Sequence, residues 1–155
     1  MRGVYVIIIK KIKDSEISIG KFGTFFFPKG IYLYVGSALG NASSTSIENR
    51  LKRHYKKKKK LHWHIDYLLA DDYTEIISSF YGCCDDKMEC SLLQMLKNQS
   101  ESFYLPIKNF GASDCVKKCG GHLIYTKDLE YDIILTYITN SFRNLNLKAQ
   151  EFMPY

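Results

Sequence analysis

The sequence predicts an α+β fold, and three observations carry that prediction. Val4 to Ile9 is an unbroken apolar run of strand length. The next stretch, through Phe27, alternates apolar and polar residues around turn-forming positions, as in a hairpin. Later segments then switch to helical spacing, with single strands between them. Early hairpins followed by mixed helices and strands favour α+β over a parallel doubly wound sheet. At 155 residues the chain is one domain, with a core over about residues 1–126 and a C-terminal helix and tail over about 127–155.

Residues 3–10 read as a first strand buried on both faces, because no polar residue interrupts the run before Lys10. Lys11 to Lys21 places Ile12, Ile17 and Ile19 among polar residues, with Asp14-Ser15 as a turn, which suggests an inserted hairpin arm, and Gly20 and Gly23 punctuate a second turn. Thr24 to Phe27 is a short aromatic strand stopped by Pro28. Ile31 to Val35 is the central strand, and a loop of small residues follows to Ser46. Ser44, Thr45 and Ser46 are candidate caps for a helix from about Ile47 to Tyr55. Trp63, Tyr67 and Leu68 share a face of a second short helix. Tyr73 to Tyr81 reads as a strand, and Asp85 or Asp86 as the cap of a helix running to about Asn98. Residues 99–120 read as irregular, His122 to Tyr125 as a strand, Leu129 to about Phe142 as a helix, and the tail as loose.

The net charge of +6 is concentrated. Residues 50–60, RLKRHYKKKKK, carry eight Lys/Arg and no acid, which leaves the rest of the chain near neutral. Such a block suits a polyanion, nucleic acid first, although a Lys run can also be an ordinary solvated helix face. No apolar run reaches membrane-span length, so a membrane partner is not expected. Met1-Arg2-Gly3 enters the first strand with no signal-peptide layout, and the expectation is a cytoplasmic protein. In that setting five cysteines read as reduced thiols or metal ligands rather than a disulfide framework.

Polar residues that the core does not need form a set of parts for phosphodiester chemistry. Tyr5 lies on the first strand and Tyr34 on the central strand. Arg50 and His54, four residues apart, are neighbours on the following helix. Glu89 is a single carboxylate near the start of a helix that is otherwise apolar around it. A cation on that carboxylate can polarise a phosphate, an Arg can stabilise charge in the transition state, and a Tyr or His can take a proton from water.

The motifs Gly3-Val4-Tyr5, GIYLYVGSALG at Gly30 to Gly40 and NRLKRH at Asn49 to His54 continue, in order, with HWHIDYLL at His62 to Leu69, MEC at Met88 to Cys90, FGASDC at Phe110 to Cys115 and GHLIY at Gly121 to Tyr125. This series resembles the GIY-YIG nuclease superfamily, in particular a largely uncharacterised archaeal and bacterial branch sometimes fused to DNA-repair glycosylase domains. The resemblance implies a small antiparallel three-stranded central sheet flanked by helices, here with the hairpin arm inserted between the two triplets. It implies a metal-dependent endonuclease acting on DNA rather than RNA, in repair or recombination. Tyr5 would be the general base or water-positioning hydroxyl, and Tyr34 its neighbour at the phosphate. Arg50 would bind the scissile phosphate, His54 would assist proton transfer, and Glu89 would hold a divalent cation, magnesium or manganese. Gly30-Ile31-Tyr32 spells the first triplet literally but lies too close to Tyr34 to be a separate strand. Gly3-Val4-Tyr5 is therefore the better match, with Tyr32 a minor option.

Each residue also has a plainer reading. Tyr5 and Tyr34 could be core tyrosines with satisfied hydroxyls. A tyrosine base also needs a nearby cation or metal to act near neutrality, since its ordinary pKa is about 10. Glu89 could be a carboxylate favoured by a helix N-terminus. Arg53, Lys56, Lys57, Lys58, Lys59 and Lys60 are expected to give salt-sensitive, sequence-independent backbone affinity. His62, His64 and Asp66 read as structural or supporting polar residues beside Trp63. Cys115, Cys119 and His122 offer three soft ligands that could hold zinc with Cys90 (or Cys83 or Cys84) as a fourth. Asp114 and His122 could instead line the active-site rim. The alternative to an enzyme is a nucleic-acid-binding module of the same fold that cuts nothing; a third reading is a scaffold with a structural zinc site.

Overall fold

The computed structural model of the chain describes residues 1–40, 46–112, 115 and 119–154. Strand β1 (Gly3–Lys11) is its centre. It pairs antiparallel with β4 (Gly30–Ala38) on one side and with β5 (Thr74–Cys83) on the other. Strand β6 (Leu123–Thr126) adds outside β4, and β7 (Gln150–Glu151) outside β5. The sheet order is β6-β4-β1-β5-β7, antiparallel throughout. The expected three-stranded central sheet is thus corrected to five strands. Strand β6 meets the strand expected over His122 to Tyr125, but it joins the central sheet; β7 has two residues, too few for a sequence period to declare a strand. The tail expected to be loose is docked, with Phe152 buried and its N–H bonded to the Ser79 carbonyl.

Side-chain alternation along β1 explains why its sequence is apolar throughout. Tyr5, Ile7 and Ile9 face a core with helices α1 (Ile47–Tyr55) and α2 (His64–Ala70), where they meet Ile47, Leu51, Ile65 and Leu68. Val4, Val6 and Ile8 face the opposite core with α3 (Glu89–Lys97) and α4 (Tyr131–Asn144), among Leu92, Leu96, Ile134 and Ile138. Helices therefore cover both faces of the sheet.

The hairpin arm pairs β2 (Ser15–Ile19) with β3 (Gly23–Phe27) across a short 3-10 turn at Gly20–Phe22. Its turn is the one expected at Gly20 and Gly23, while Asp14-Ser15 lies at the link from β1 into β2. Gly20 has φ +48°, a left-handed conformation that glycine adopts at little cost. Asp14 accepts the Lys29 N–H at 2.6 Å instead, tying the base of the arm. Helix α1 is capped by Ser46, whose hydroxyl accepts the Asn49 N–H, while Ser44 and Thr45 lie outside the described residues. Helix α3 begins after Met88 rather than at an aspartate cap.

Two contacts on β1 set its ends. At the C-terminal end Lys11 is buried, and its Nζ donates to Asp71 Oδ2 and Ser15 Oγ, each at 2.6 Å. Asp71 also accepts from Tyr73 N and Thr74 Oγ1, so one carboxylate joins β1, the arm and the α2–β5 turn. Near the N-terminal end Tyr5 stands directly opposite Gly36 in the β1–β4 register. A Cβ at Gly36 would lie 2.6 Å from both Cζ and the hydroxyl oxygen of Tyr5, so the ring occupies the space glycine leaves.

Removing one member of a buried ion pair strands the other charge. Asp71→Ala is expected to lower unfolding stability by about 3 kcal/mol in a denaturant titration, with Lys11→Met/Asp71→Ala regaining most of that loss. Equal stability of the single and double variants would refute this account. Gly36→Ala is expected to cost about 2 kcal/mol through overpacking against Tyr5, measured the same way.

Candidate functional site

The antiparallel pairing of β1 with β4 brings Tyr5 and Tyr34 to the same sheet face, under α1. Arg50 and His54 lie one helical turn apart on α1 and look back at that face. Glu89 comes from the first turn of α3. All five line one open cleft of about 530 Å³. The structure thus brings together the five residues singled out in the sequence as chemical.

Within the cleft, the Tyr5 hydroxyl lies 2.8 Å from His54 Nε2, and both residues are buried. Burial, reinforced by Tyr34, holds the Tyr5 phenol protonated well above its ordinary range, although Arg50 and Arg53 pull the other way. Burial lowers the His54 imidazole to about pKa 3, with Lys59, Arg53 and Arg50 adding to the effect against Asp66. The pair is therefore a neutral phenol beside a neutral imidazole. His54 Nδ1 is buried and has no hydrogen-bond partner.

Arg50 donates from Nη1 to the Ser37 carbonyl at 2.9 Å, and its guanidinium carbon lies 4.9 Å from the Trp63 ring centroid. These two contacts fix the guanidinium at the cleft, and Nε is left without a partner. Glu89 Oε2 is also buried without a partner. Unpaired buried polar atoms are rare in folded proteins and need an explanation, such as an unoccupied ion or ligand position.

The basic segment divides into structural and displayed cations. Arg53 makes a two-pronged bond to Asp66, 2.8 Å at each oxygen, and stacks on Trp63 at 4.4 Å. Asp66 is fully buried and also accepts the backbone N–H groups of His62 and Trp63. Burial raises the Asp66 carboxyl, but these bonds outweigh it and hold the group below its ordinary range. Lys57 Nζ donates to the carbonyls of Leu69, Asp71 and Thr74 at 2.7–2.9 Å. Lys59 Nζ donates to the carbonyls of Arg53 and His54 at the end of α1, and partial burial lowers it to about pKa 8. Lys56, Lys58 and Lys60 are exposed, and none of Lys56 to Lys60 lines the cleft.

Other lining residues were not assigned a chemical role from sequence. His64 accepts the Gly111 N–H at Nδ1, 2.9 Å, and stacks on Phe22 of the arm at 4.1 Å. It thus joins the arm, α2 and the Phe110–Ala112 loop at the rim. Lys87, two residues before Glu89, adds a cation beside the carboxylate; that proximity is the only sequence signal for it. His122 lines the same cleft, while Asp114 lies outside the described residues. Tyr32 does not line it, and its hydroxyl donates to the Pro28 carbonyl.

Beside the cleft, Cys90, Cys115, Cys119 and His122 form a cluster that could hold a metal ion, their ligand atoms all within 4.8 Å of one another. The fourth ligand is Cys90; Cys83 and Cys84 lie outside the cluster.

No helix among the described residues is long and apolar enough to cross a membrane. No curated protein and no solved structure matches the sequence. A family model does match, over residues 4–146, a span that runs from β1 through α4 and takes in every residue of the cleft and of the cysteine cluster. The chain belongs to the family described as "Domain of unknown function DUF123".

Proposed function

We propose that this protein is a metal-dependent endonuclease of GIY-YIG type, hydrolysing phosphodiester bonds in DNA. The observation that carries the proposal is the convergence of Tyr5, Tyr34, Arg50, His54 and Glu89 on one cleft, with the Tyr5 hydroxyl 2.8 Å from His54. Arg50 binds a non-bridging oxygen of the scissile phosphate through the donors its structural contacts leave over. The exposed Lys56, Lys58 and Lys60 hold the flanking backbone, so binding falls as salt rises.

Proton transfer runs through the tyrosine–histidine pair. Tyr5 enters as a phenol, since its burial rules out a standing phenolate. Water attacks phosphorus and gives a proton to the Tyr5 oxygen while Tyr5 passes its own to His54 Nε2. The bond from phosphorus to the leaving sugar oxygen breaks, and that oxygen takes a proton from solvent. A phosphate anion beside His54 opposes the desolvation that keeps the empty-site imidazole a weak base. Glu89 suits a hard cation, because among the described residues it is the only carboxylate lining the cleft, and one of its oxygens is unpartnered. Magnesium or manganese bound there would supply positive charge to the phosphate and the leaving oxygen.

The test is cleavage of branched, nicked, single-stranded and duplex DNA with magnesium or manganese. Glu89→Ala and Arg50→Ala are each expected to lower the rate at least about 100-fold, and Tyr5→Phe by a similar factor. Activity that survives Glu89→Ala refutes the proposal. Salt-sensitive binding with no cleavage of any substrate would establish the binding-module alternative in its place.

The neutral histidine has its own signature. Between about pH 3 and its ordinary pKa of about 6.5, the unfolded chain binds a proton at His54 that the folded chain does not. Stability should therefore fall as pH is lowered through that window, and His54→Gln should flatten the slope. An NMR titration of the free protein should show the His54 ring neutral down to about pH 3. A ring that protonates near pH 6.5 would overturn the account of His54 as a buried imidazole held neutral by desolvation.

A further inference from the structure

We infer that Cys90, Cys115, Cys119 and His122 bind one structural zinc ion, which clips the first turn of α3 to the loop before β6 and so builds one wall of the cleft. The inference stands apart from the nuclease reading, because it concerns what holds the wall and not what the cleft does.

The donor set is three thiols and an imidazole, the soft combination of closed tetrahedral zinc sites. Cys90 Sγ lies 3.2 Å from Cys115 Sγ, 3.0 Å from Cys119 Sγ and 3.6 Å from His122 Nε2, and Cys115 and Cys119 are 3.7 Å apart at sulfur. A disulfide needs about 2.05 Å, so none of these pairs is bonded. Ligands about 2.3 Å from a zinc ion, at tetrahedral angles, lie about 3.7 Å from one another. The Cys90–His122 and Cys115–Cys119 distances match that spacing, the Cys90–Cys115 and Cys90–Cys119 distances are shorter at 3.2 and 3.0 Å, and all four ligand atoms lie within 4.8 Å of one another. Three thiols converging so closely have little reason to do so for packing alone, whereas a shared cation explains it.

The backbone is built to present them. Gly120 and Gly121, between Cys119 and His122, have φ +93° and +143°, conformations that side-chain-bearing residues rarely adopt. Asn109 N–H bonds to the Gly120 carbonyl and His122 N–H to the Phe110 carbonyl, closing the loop on itself. The His122 carbonyl then accepts from Val35 N on β4, which anchors the cluster to the sheet that carries Tyr34. Cys90 is the chain neighbour of Glu89, and His122 lines the cleft itself. The clip therefore positions Glu89 against Tyr5 and Arg50 without zinc entering the cleft.

The test is metal analysis of the full chain purified under reducing conditions without added metal chelator. The expected result is about one zinc per chain, lost in Cys90→Ser and retained in Cys83→Ser/Cys84→Ser. Cobalt substitution should give thiolate charge-transfer and tetrahedral visible bands. If Cys90→Ser fails to fold, Cys119→His, which keeps four ligands, should restore both fold and metal. Stripping zinc from the wild type should lower Tm by roughly 10 °C. It should also speed hydrogen exchange in the first turn of α3 and in residues 109–112 and 119–122, leaving β1 and β4 protected. Absence of bound zinc from protein with intact thiols overturns the inference, as does zinc that persists in Cys90→Ser. A Cys90–Cys115 or Cys90–Cys119 disulfide in the freshly purified protein also overturns it. DNA cleavage enters none of these readouts, so this inference and the nuclease proposal fail separately.

Discussion

Strand β1 is buried on both faces, and the rest of the structure follows from what that burial demands. Six consecutive residues from Val4 to Ile9 must be shielded from water. A single layer of helices would cover only alternate side chains, so α1 and α2 take one face and α3 and α4 the other. The strand carries two long polar-tipped side chains into this environment, Tyr5 near one end and Lys11 at the other. Each must find a partner, because an unmade hydrogen bond in the core costs more than a made one gains. Lys11 finds Asp71 and Ser15, which locks the hairpin arm. Tyr5 finds His54, which places a titratable pair at the floor of a cleft.

The same logic governs charge around the cleft. Arg53 and Asp66 neutralise each other where neither could be buried alone, and the pair fixes the short turn that carries Trp63. Trp63 in turn lies under the guanidinium groups of both Arg53 and Arg50. Arg50 is thereby held in place with no acidic partner among the described residues. With Lys87 also at the rim and Glu89 the one acid among the described lining residues, the described cleft has positive polarity that suits an anionic ligand.

Much of this was legible in the sequence, and the misses have physical causes. The apolar run of β1 and the stripe of α1 follow from periodicity, and the chemical residues follow from their being polar where the core needed apolar ones. The fifth strand was not legible, because Gln150–Glu151 is only two residues long and both side chains are exposed, so no apolar pattern marks it. Of the two turns expected around the arm, the one marked by Gly20 and Gly23 joins its strands, while Asp14, also a turn former by type, accepts the Lys29 N–H at the arm's base. The Lys run hid two different roles. Lys57 and Lys59 look like their neighbours in one dimension, yet their ammonium groups cap backbone carbonyls that only the tertiary arrangement brings within reach. The cysteine motif revealed three ligands, but the choice of Cys90 over Cys83 or Cys84 depends on which end of α3 meets the loop.

That meeting point joins two chemistries at consecutive residues. Neighbours on a helix point about 100° apart, so Glu89 can face the cleft while Cys90 faces the cluster. Both sit in the first turn of α3, where the exposed N–H groups favour negative charge. A carboxylate and a cysteine sulfur thus stand side by side, one a hard ligand and one a soft ligand. A hard cation at the first and a soft one at the second would not compete for ligands. The two residues would nonetheless be mechanically linked, since a shift of the helix terminus moves both. A structural metal at Cys90 is therefore a means of holding Glu89 in place through a single peptide bond, which is a shorter linkage than any packing contact could provide.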